Sequence, residues 1–220
     1  MSIKHPIISV TGSSGAGTST VKHTFQQIFR RESVEAATME GDAFHRYSRK
    51  EMKKELEKRS AAGEATFSHF SFVANLLLEQ EACFRSYSEN GKCRYRHYVH
   101  NAKEEELLGV KSGNFTEWRE FDGSSDLLFY EGLHGAVVND EVNLARYADL
   151  KIGVVPVINL EWIQKIHRDR DSRGYSTEAV TDTILRRMHA YVHCICPQFT
   201  ETDINFQRVP VVDTSNPLVA

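Results

Sequence analysis

Four clusters in this chain combine residue types that can do chemistry, and three of them directly follow an apolar run. The first is Gly12-Ser13-Ser14-Gly15-Ala16-Gly17-Thr18-Ser19-Thr20, which follows PIISVT. Glycines at 12, 15 and 17 allow backbone angles closed to other residues, so successive N–H groups can turn toward one anion. A helix starting behind them adds the positive end of its dipole. Strand, G-x-x-x-x-G-x-S, then helix is the context of a phosphate-binding loop, with Thr18 where lysine is expected. The backbone contribution survives that change: Ser19 can still ligate Mg2+, and Thr18 can donate a hydrogen bond to phosphate. The competing reading is a flexible glycine turn. A dinucleotide loop fits less well because G-x-G-x-x-G spacing is absent, although Glu40 could imitate its ribose-binding acid.

A loop without lysine needs a cation from elsewhere. Lys165, Arg168, Asp169, Ser172 and Arg173 fall within one arc of a helix at about 100° per residue. Lys165 is expected to replace the loop lysine in trans, from a lid-like helix; the alternative is a solvated face laced with ion pairs. In LLFYEGLHG, Glu131 follows apolar and aromatic residues, where a buried carboxylate is costly unless it meets a cation. That is the place of a metal-holding acid, acting on Mg2+ directly or through water. His134 lies just beyond it. In EGDAFHRYSRK, Asp42 could accept a proton from an alcohol attacking a γ-phosphate. His45, Arg46, Arg49 and Lys53 are donors suited to a polyhydroxy, phosphorylated acceptor. Asp42 could instead be the N-cap of the next helix.

These clusters need elements to hold them. Strands are expected at 6–11, near 34–40, and at 126–132, 149–158 and 208–213, from short apolar runs bounded by turn residues. Helices are expected from about Thr18 to Glu32, over RKEMKKELEKRSAAG up to Gly63, over Ala74–Tyr87, from Asn159 to Gly174, and after an N-cap at Ser176 or Thr177. In the last, Val180, Ile184 and Met188 share one side. The stretch from about 66 to 122 reads as an irregular elaboration beside the sheet. Alternating strands and helices imply an α/β fold with a doubly wound, mostly parallel sheet, whose ligands bind beyond the carboxyl ends of the strands. All four clusters lie toward that edge.

The 220 residues suit one domain, and 40% hydrophobic with 26% charged residues is an ordinary globular composition. No apolar run approaches the roughly 18–20 residues needed to span a bilayer, no secretory signal is visible, and a charge of −3 argues against coating a polyanion. The expectation is a cytoplasmic protein with no membrane or nucleic-acid partner. Four cysteines suit a reducing compartment. On a helix His189, His193 and Cys196 would share a face, but Pro197 closes the segment and no second ligand pair stands nearby. Surface histidines and buried thiols are the better reading.

Taken together, KHPIISVTGSSGAGTST, EGDAFHR, FYEGLHGAVV, VVPVINLEWIQKIHRD, RGYSTEAV and DINFQRVPVVDTSNP resemble the bacterial-type phosphoribulokinases, Calvin-cycle kinases with the P-loop kinase fold. The resemblance runs from about Lys4 to the end of the chain, and bacterial members share threonine at the loop's lysine position. It implies ATP-dependent phosphorylation, with Mg2+, of the C1 hydroxyl of D-ribulose 5-phosphate to ribulose 1,5-bisphosphate and ADP. By resemblance Asp42 matches the base, Asp169 an acid near the transferring phosphoryl and its metal, and Lys165 a transition-state lysine. His45, Arg49, Arg168 and Arg173 match residues that grip the sugar phosphate or support transfer. From sequence either Asp42 or Asp169 could be argued as base; Asp42 is preferred. The resemblance also implies a homo-oligomer, often an octamer, activated by NADH and inhibited by AMP, with Arg31 matching a position linked to that control. Family members continue beyond DTSNP with further strands and a final helix, so an incomplete sheet is expected.

Overall fold

The computed structural model describes residues 4–64, 66–121, 123–211 and 213–218, with the side chains of 172 and 173 outside that description. In chain order the elements are β1 (Ile7–Thr11), α1 (Thr18–Arg31), β2 (Ala36–Glu40), α2 (Arg49–Ala61), α3 (Leu77–Asn90) and β3 (Arg94–Tyr95). They continue with α4 (Ala102–Leu108), β4 (Arg119–Glu120), β5 (Leu127–Gly132), β6 (Leu150–Pro156), α5 (Ile158–Arg173), α6 (Thr177–Ala190) and β7 (Ile204–Arg208). Five strands form one sheet in the order β2-β5-β1-β6-β7, and every pair is parallel. β3 and β4 form a separate antiparallel pair.

Both faces of the sheet are covered, as parallel strands require. Along β5, Leu128 and Tyr130 pack with Phe44, Phe84 and Tyr87, whereas Phe129 points the other way against Phe25 and Phe29 of α1. The Phe84 and Tyr130 rings meet edge-on at 5.2 Å, an arrangement the aromatic quadrupoles favour. This period-two split of bulky side chains fixes the register. Glu40 lies beside Glu131, and Glu131 beside Val10, while Thr11 pairs with Gly132 and Gly153. The carboxyl ends of β2, β5, β1 and β6 therefore form one edge, from which the candidate residues emerge.

Several boundaries differ from the sequence reading. The fifth strand runs Ile204–Arg208, not 208–213. Its ladder to β6 ends at Arg208, Pro210 has no N–H to continue one, and Val211 is exposed; Val212 lies outside the described residues. α3 begins at Leu77, because Phe72–Ala74 forms a 3-10 turn and Asn75 is extended, bridged to His45. The stretch read as irregular holds the β3–β4 pair, and its acidic run Glu104–Glu106 is helix α4, capped by Asn101. Ser48 caps α2, closing a capping box with Glu51, so Asp42 is not that cap. Ser176 caps α6. Among the described residues no helix is long and apolar enough to cross a membrane.

Asp42 sits instead in a 3-10 turn, Gly41–Phe44, pressed against the end of β5. A Cβ at Gly41 would lie 2.8 Å from the Gly132 Cα and closer still to the Tyr130 hydroxyl. Gly41→Ala is therefore expected to destabilise the fold by about 1–3 kcal/mol through overpacking. An unchanged urea midpoint would show that the turn has room.

Candidate active site

The glycine loop has the backbone its sequence calls for. Gly15 and Gly17 have φ of +115° and +99°, left-handed values that disfavour side chains. The space is also taken: a Cβ at Gly15 would lie 3.0 Å from the Glu161 carbonyl oxygen and 3.3 Å from the Lys165 Cβ, so α5 lies directly on the loop. A Cβ at Gly17 would overlap the Arg208 guanidinium. α1 starts at Thr18 with no side chain capping it, leaving its first N–H groups available to an anion. Ser19 and Thr20 are exposed in that first turn, whereas Thr18 is buried. Ser13 is also buried, with its hydroxyl toward the Glu161 carboxyl.

Cations reach the loop from several elements. On α5 the Lys165 ammonium donates to Asp169 Oδ2 at 2.5 Å, and both residues are about 5% exposed. Arg168 donates to Asp169 Oδ1 at 3.0 Å and, through Nη2, to Ser14 Oγ of the loop at 3.0 Å. The structure thus brings Lys165, Arg168 and Asp169 together beside the loop, while the Arg173 side chain lies outside the described residues. Burial pushes the Lys165 pKa down to about 8, with the Arg187 charge adding to it and Asp169 resisting. The amine is still charged at neutral pH. Beneath the loop, burial raises the Glu161 carboxyl to about 7, opposed by the Ser13 hydroxyl and the Lys165 charge.

Three cations escaped the sequence reading. Arg208 Nη1 donates to the Ala16 carbonyl and to Gln164 Oε1, each at 3.0 Å, bracing the loop from the end of β7. Arg187 of α6 acts electrostatically on Lys165, His45 and His69. Lys22 of α1 pairs with Glu40. Only Lys22 carried a local signal, since it stands four residues after Thr18 on the same helix face. Glu131 lies beside these groups; burial raises its pKa, while the Thr18 hydroxyl and the Lys22 charge hold it down. Glu40 is therefore engaged by Lys22.

Asp42 stands among histidines. Its Oδ1 lies 3.3 Å from His45 Nε2 and its Oδ2 3.6 Å from His100 Nε2. His45 is buried, stacked on His69 with ring centroids 4.1 Å apart, and burial with nearby positive groups lowers its pKa to about 3. It is neutral at pH 7, and the geometry suits an Nε2–H donated to the Asp42 carboxylate, with a buried Nδ1 that has no hydrogen-bond partner among the described residues. Arg49 is exposed and donates to the His100 carbonyl at 2.8 Å. Arg46 is occupied by the Val73 and Asn75 carbonyls, and Lys53 lies exposed on α2. Arg31 is exposed at the far end of α1, paired with Glu32, ~20 Å along the helix from the loop.

His134, also buried, has its pKa lowered to about 4 by desolvation. The unfolded chain takes up protons at His45 and His134 near pH 6.5, whereas the folded chain does so only near pH 3–4. Stability from these groups is thus present above pH 6.5 and lost as pH falls, by about 1 kcal/mol or more per histidine per pH unit. The urea midpoint should drop steeply between pH 6.5 and 5; a flat profile would mean that these rings are already solvated in the fold.

The histidines farther along behave differently. His189 and His193 rings lie 4.5 Å apart where α6 runs into a π-helical turn, and among the described residues no three His, Cys, Asp or Glu side chains form a metal-binding group. These groups gather at the strand ends, where a glycine loop with cations beside it shares one sheet edge with a carboxylate set beside the imidazoles of His45 and His100.

Comparison with known proteins agrees with this architecture. The sequence model described as the phosphoribulokinase / uridine kinase family matches residues 7–215. "Phosphoribulokinase 1" of Cereibacter sphaeroides is 74% identical over all 220 residues and 76% of its own length. "Phosphoribulokinase" of Nitrobacter vulgaris is 68% identical over 99% of the chain and 75% of its own. The solved phosphoribulokinase from Rhodobacter spheroides superposes with a TM-score of 0.87 at 72% identity, over 99% of this chain and 75% of that one. A possible uridine kinase from Bacillus stearothermophilus, at 12% identity and a TM-score of 0.56, covers 94% of this chain and 90% of its own and shares the fold alone. The chain spans about three quarters of the length of the phosphoribulokinases it matches. It belongs to the phosphoribulokinase / uridine kinase family.

Proposed function

We propose that the chain is a phosphoribulokinase, transferring the γ-phosphoryl of ATP to the C1 hydroxyl of D-ribulose 5-phosphate to give ribulose 1,5-bisphosphate and ADP in the Calvin cycle. The observation that carries this reading is identity of 57–74% across the chain with proteins bearing that name. Within it, residues 12–20 hold the nucleotide phosphates through main-chain amides, since the loop has no lysine of its own. Lys165 and Arg168 face the charge that develops on the transferring phosphoryl, where fixed donors contribute most. By likeness to the family, Arg173 supports the transfer.

Asp42 takes the proton of the C1 hydroxyl. Its carboxylate is 35% exposed and lies beside the neutral His45 imidazole and the His100 ring, whereas Asp169 is 6% exposed with two cations on it and makes the poorer proton acceptor. His45 holds Asp42 in orientation, and Arg49 offers an exposed guanidinium for the sugar phosphate at the same edge.

Mg2+ fits the residues present. Ser19 is exposed at the loop's end, and burial raises the pKa of the neighbouring Glu131, a strain that a bound cation relieves. Ser19, Glu131 and Asp169 are the candidate holders, few enough to suit an ion that keeps waters and phosphate oxygens as ligands. When bound it neutralises charge on the β- and γ-phosphates. By likeness to the family the proposal extends to a homo-oligomer, such as an octamer, activated by NADH and inhibited by AMP through Arg31.

A coupled ADP-release assay across pentose phosphates, other sugar phosphates and nucleosides tests the reading. Ribulose 5-phosphate should give turnover far above the rest. Failure with ribulose 5-phosphate alongside turnover of a nucleoside or another sugar would overturn it.

A further inference from the structure

The turn that carries Asp42 is held from two sides. Gly41 presses it onto β5 from below, and Arg96, from the segment between β3 and α4, grips it from outside. Arg96 Nε donates to the Ala43 carbonyl at 2.8 Å and Nη2 to the His45 carbonyl at 2.7 Å. These oxygens lie at the C-terminal end of the 3-10 turn, where carbonyls lack partners within the helix. The guanidinium is itself fixed, with its central carbon 3.7 Å from the Phe115 ring centroid and 4.7 Å from that of Trp118. Phe115 continues edge-on to Tyr98, and Tyr98 to His100, which faces the second oxygen of Asp42. One planar, aromatic-sandwiched cation therefore ties the turn to the segment carrying His100.

We infer that Arg96 is a positioning residue for the acceptor-activating carboxylate, locking the peptide planes that set the Asp42–His45 contact and joining them to His100. Arginine suits this task where lysine does not, because its fork reaches two carbonyls at fixed separation while stacking on the rings. Among the described residues Arg96 makes no hydrogen bond to Asp42 or to the loop, so its effect reaches the reaction through the turn. The inference rests on the reading of Asp42 as the base.

The test is steady-state kinetics of Arg96→Ala, Arg96→Lys, Asp42→Asn and the Asp42→Asn/Arg96→Ala double variant in the full chain, with circular dichroism to verify folding. Arg96→Ala should lower kcat about 10- to 100-fold, the effect of a displacement of about 1 Å at the base, with KM for ATP changed less than about twofold. Millimolar guanidinium should restore part of the lost kcat, and methylammonium should not. In the Asp42→Asn background the same change should cost less than about threefold, because the group it positions is already gone. If Arg96→Ala does not fold, Arg96→Lys should fold and still show a kcat reduced about fivefold or more. Folded variants with normal kcat, losses that multiply in the double variant, or no preference for guanidinium would each overturn the inference. Full activity of Asp42→Asn would remove the base reading itself, separately from any result at Arg96.

Discussion

Asp42→Asn is expected to lower kcat by about two orders of magnitude or more while leaving ATP affinity within about threefold. The amide matches the carboxylate in size, so the turn, the Gly41 packing and the contacts toward His45 and His100 have no steric reason to change. What disappears is the ability to take a proton. Neither buried imidazole is a ready substitute: burial lowers the His45 pKa to about 3, and His134, at about 4, is bonded to Gln198 and the His69 carbonyl. Nucleotide affinity should persist because the loop's amides lie on another strand end. Steady-state kinetics paired with a nucleotide titration checks both halves. Retained turnover would transfer the role of base away from Asp42, with Asp169 the next carboxylate to examine.

Lys165→Met should cut kcat by about 100- to 1,000-fold, the usual loss when one preorganised donor to developing charge is removed. Methionine fills similar volume beside Gly15, and Asp169 keeps Arg168 as a partner, so the helix should stay seated on the loop. The side chain is almost wholly buried, which makes its charge count for more than that of an exposed lysine. Nucleotide affinity should fall far less than turnover if, as proposed, ground-state phosphate binding is spread over the main-chain amides. A parallel collapse of both, or loss of affinity alone, would mean that Lys165 binds ATP without favouring the transition state.

Much of this site was legible because its signals are local. The glycine spacing, the apolar strands and the helical arc of Lys165, Arg168 and Asp169 all lie within windows where periodicity and turn chemistry operate. Four of the five sheet strands follow from that pattern. The fifth shifted because RVPVV looks more strand-like than INFQR, yet pairing with β6 decides the outcome and proline ends it. The capping box of Ser48 and Glu51 was present in the sequence and settles the alternative for Asp42.

What stayed hidden depends on partners distant in sequence. Arg208 meets Ala16 across 192 residues, and Arg96 meets the Asp42 turn across about 50. No local pattern encodes such pairs, so Arg96, Arg187 and Arg208 read as ordinary charges until the chain is folded. The resemblance to the phosphoribulokinases suggested the role proposed for Asp42, and the geometry adds the imidazoles of His45 and His100 beside its carboxylate.

In the proposed mechanism the amine of Lys165 serves a loop that has no lysine of its own. A crystal structure of this chain with Mg2+ and a non-hydrolysable ATP analogue measures that directly. It should place Lys165 Nζ within about 3 Å of a terminal phosphate oxygen, the reach of a charge-assisted hydrogen bond. An amine still closed onto Asp169 and turned from the phosphate, with Arg208 or Lys22 at that oxygen instead, would contradict the account.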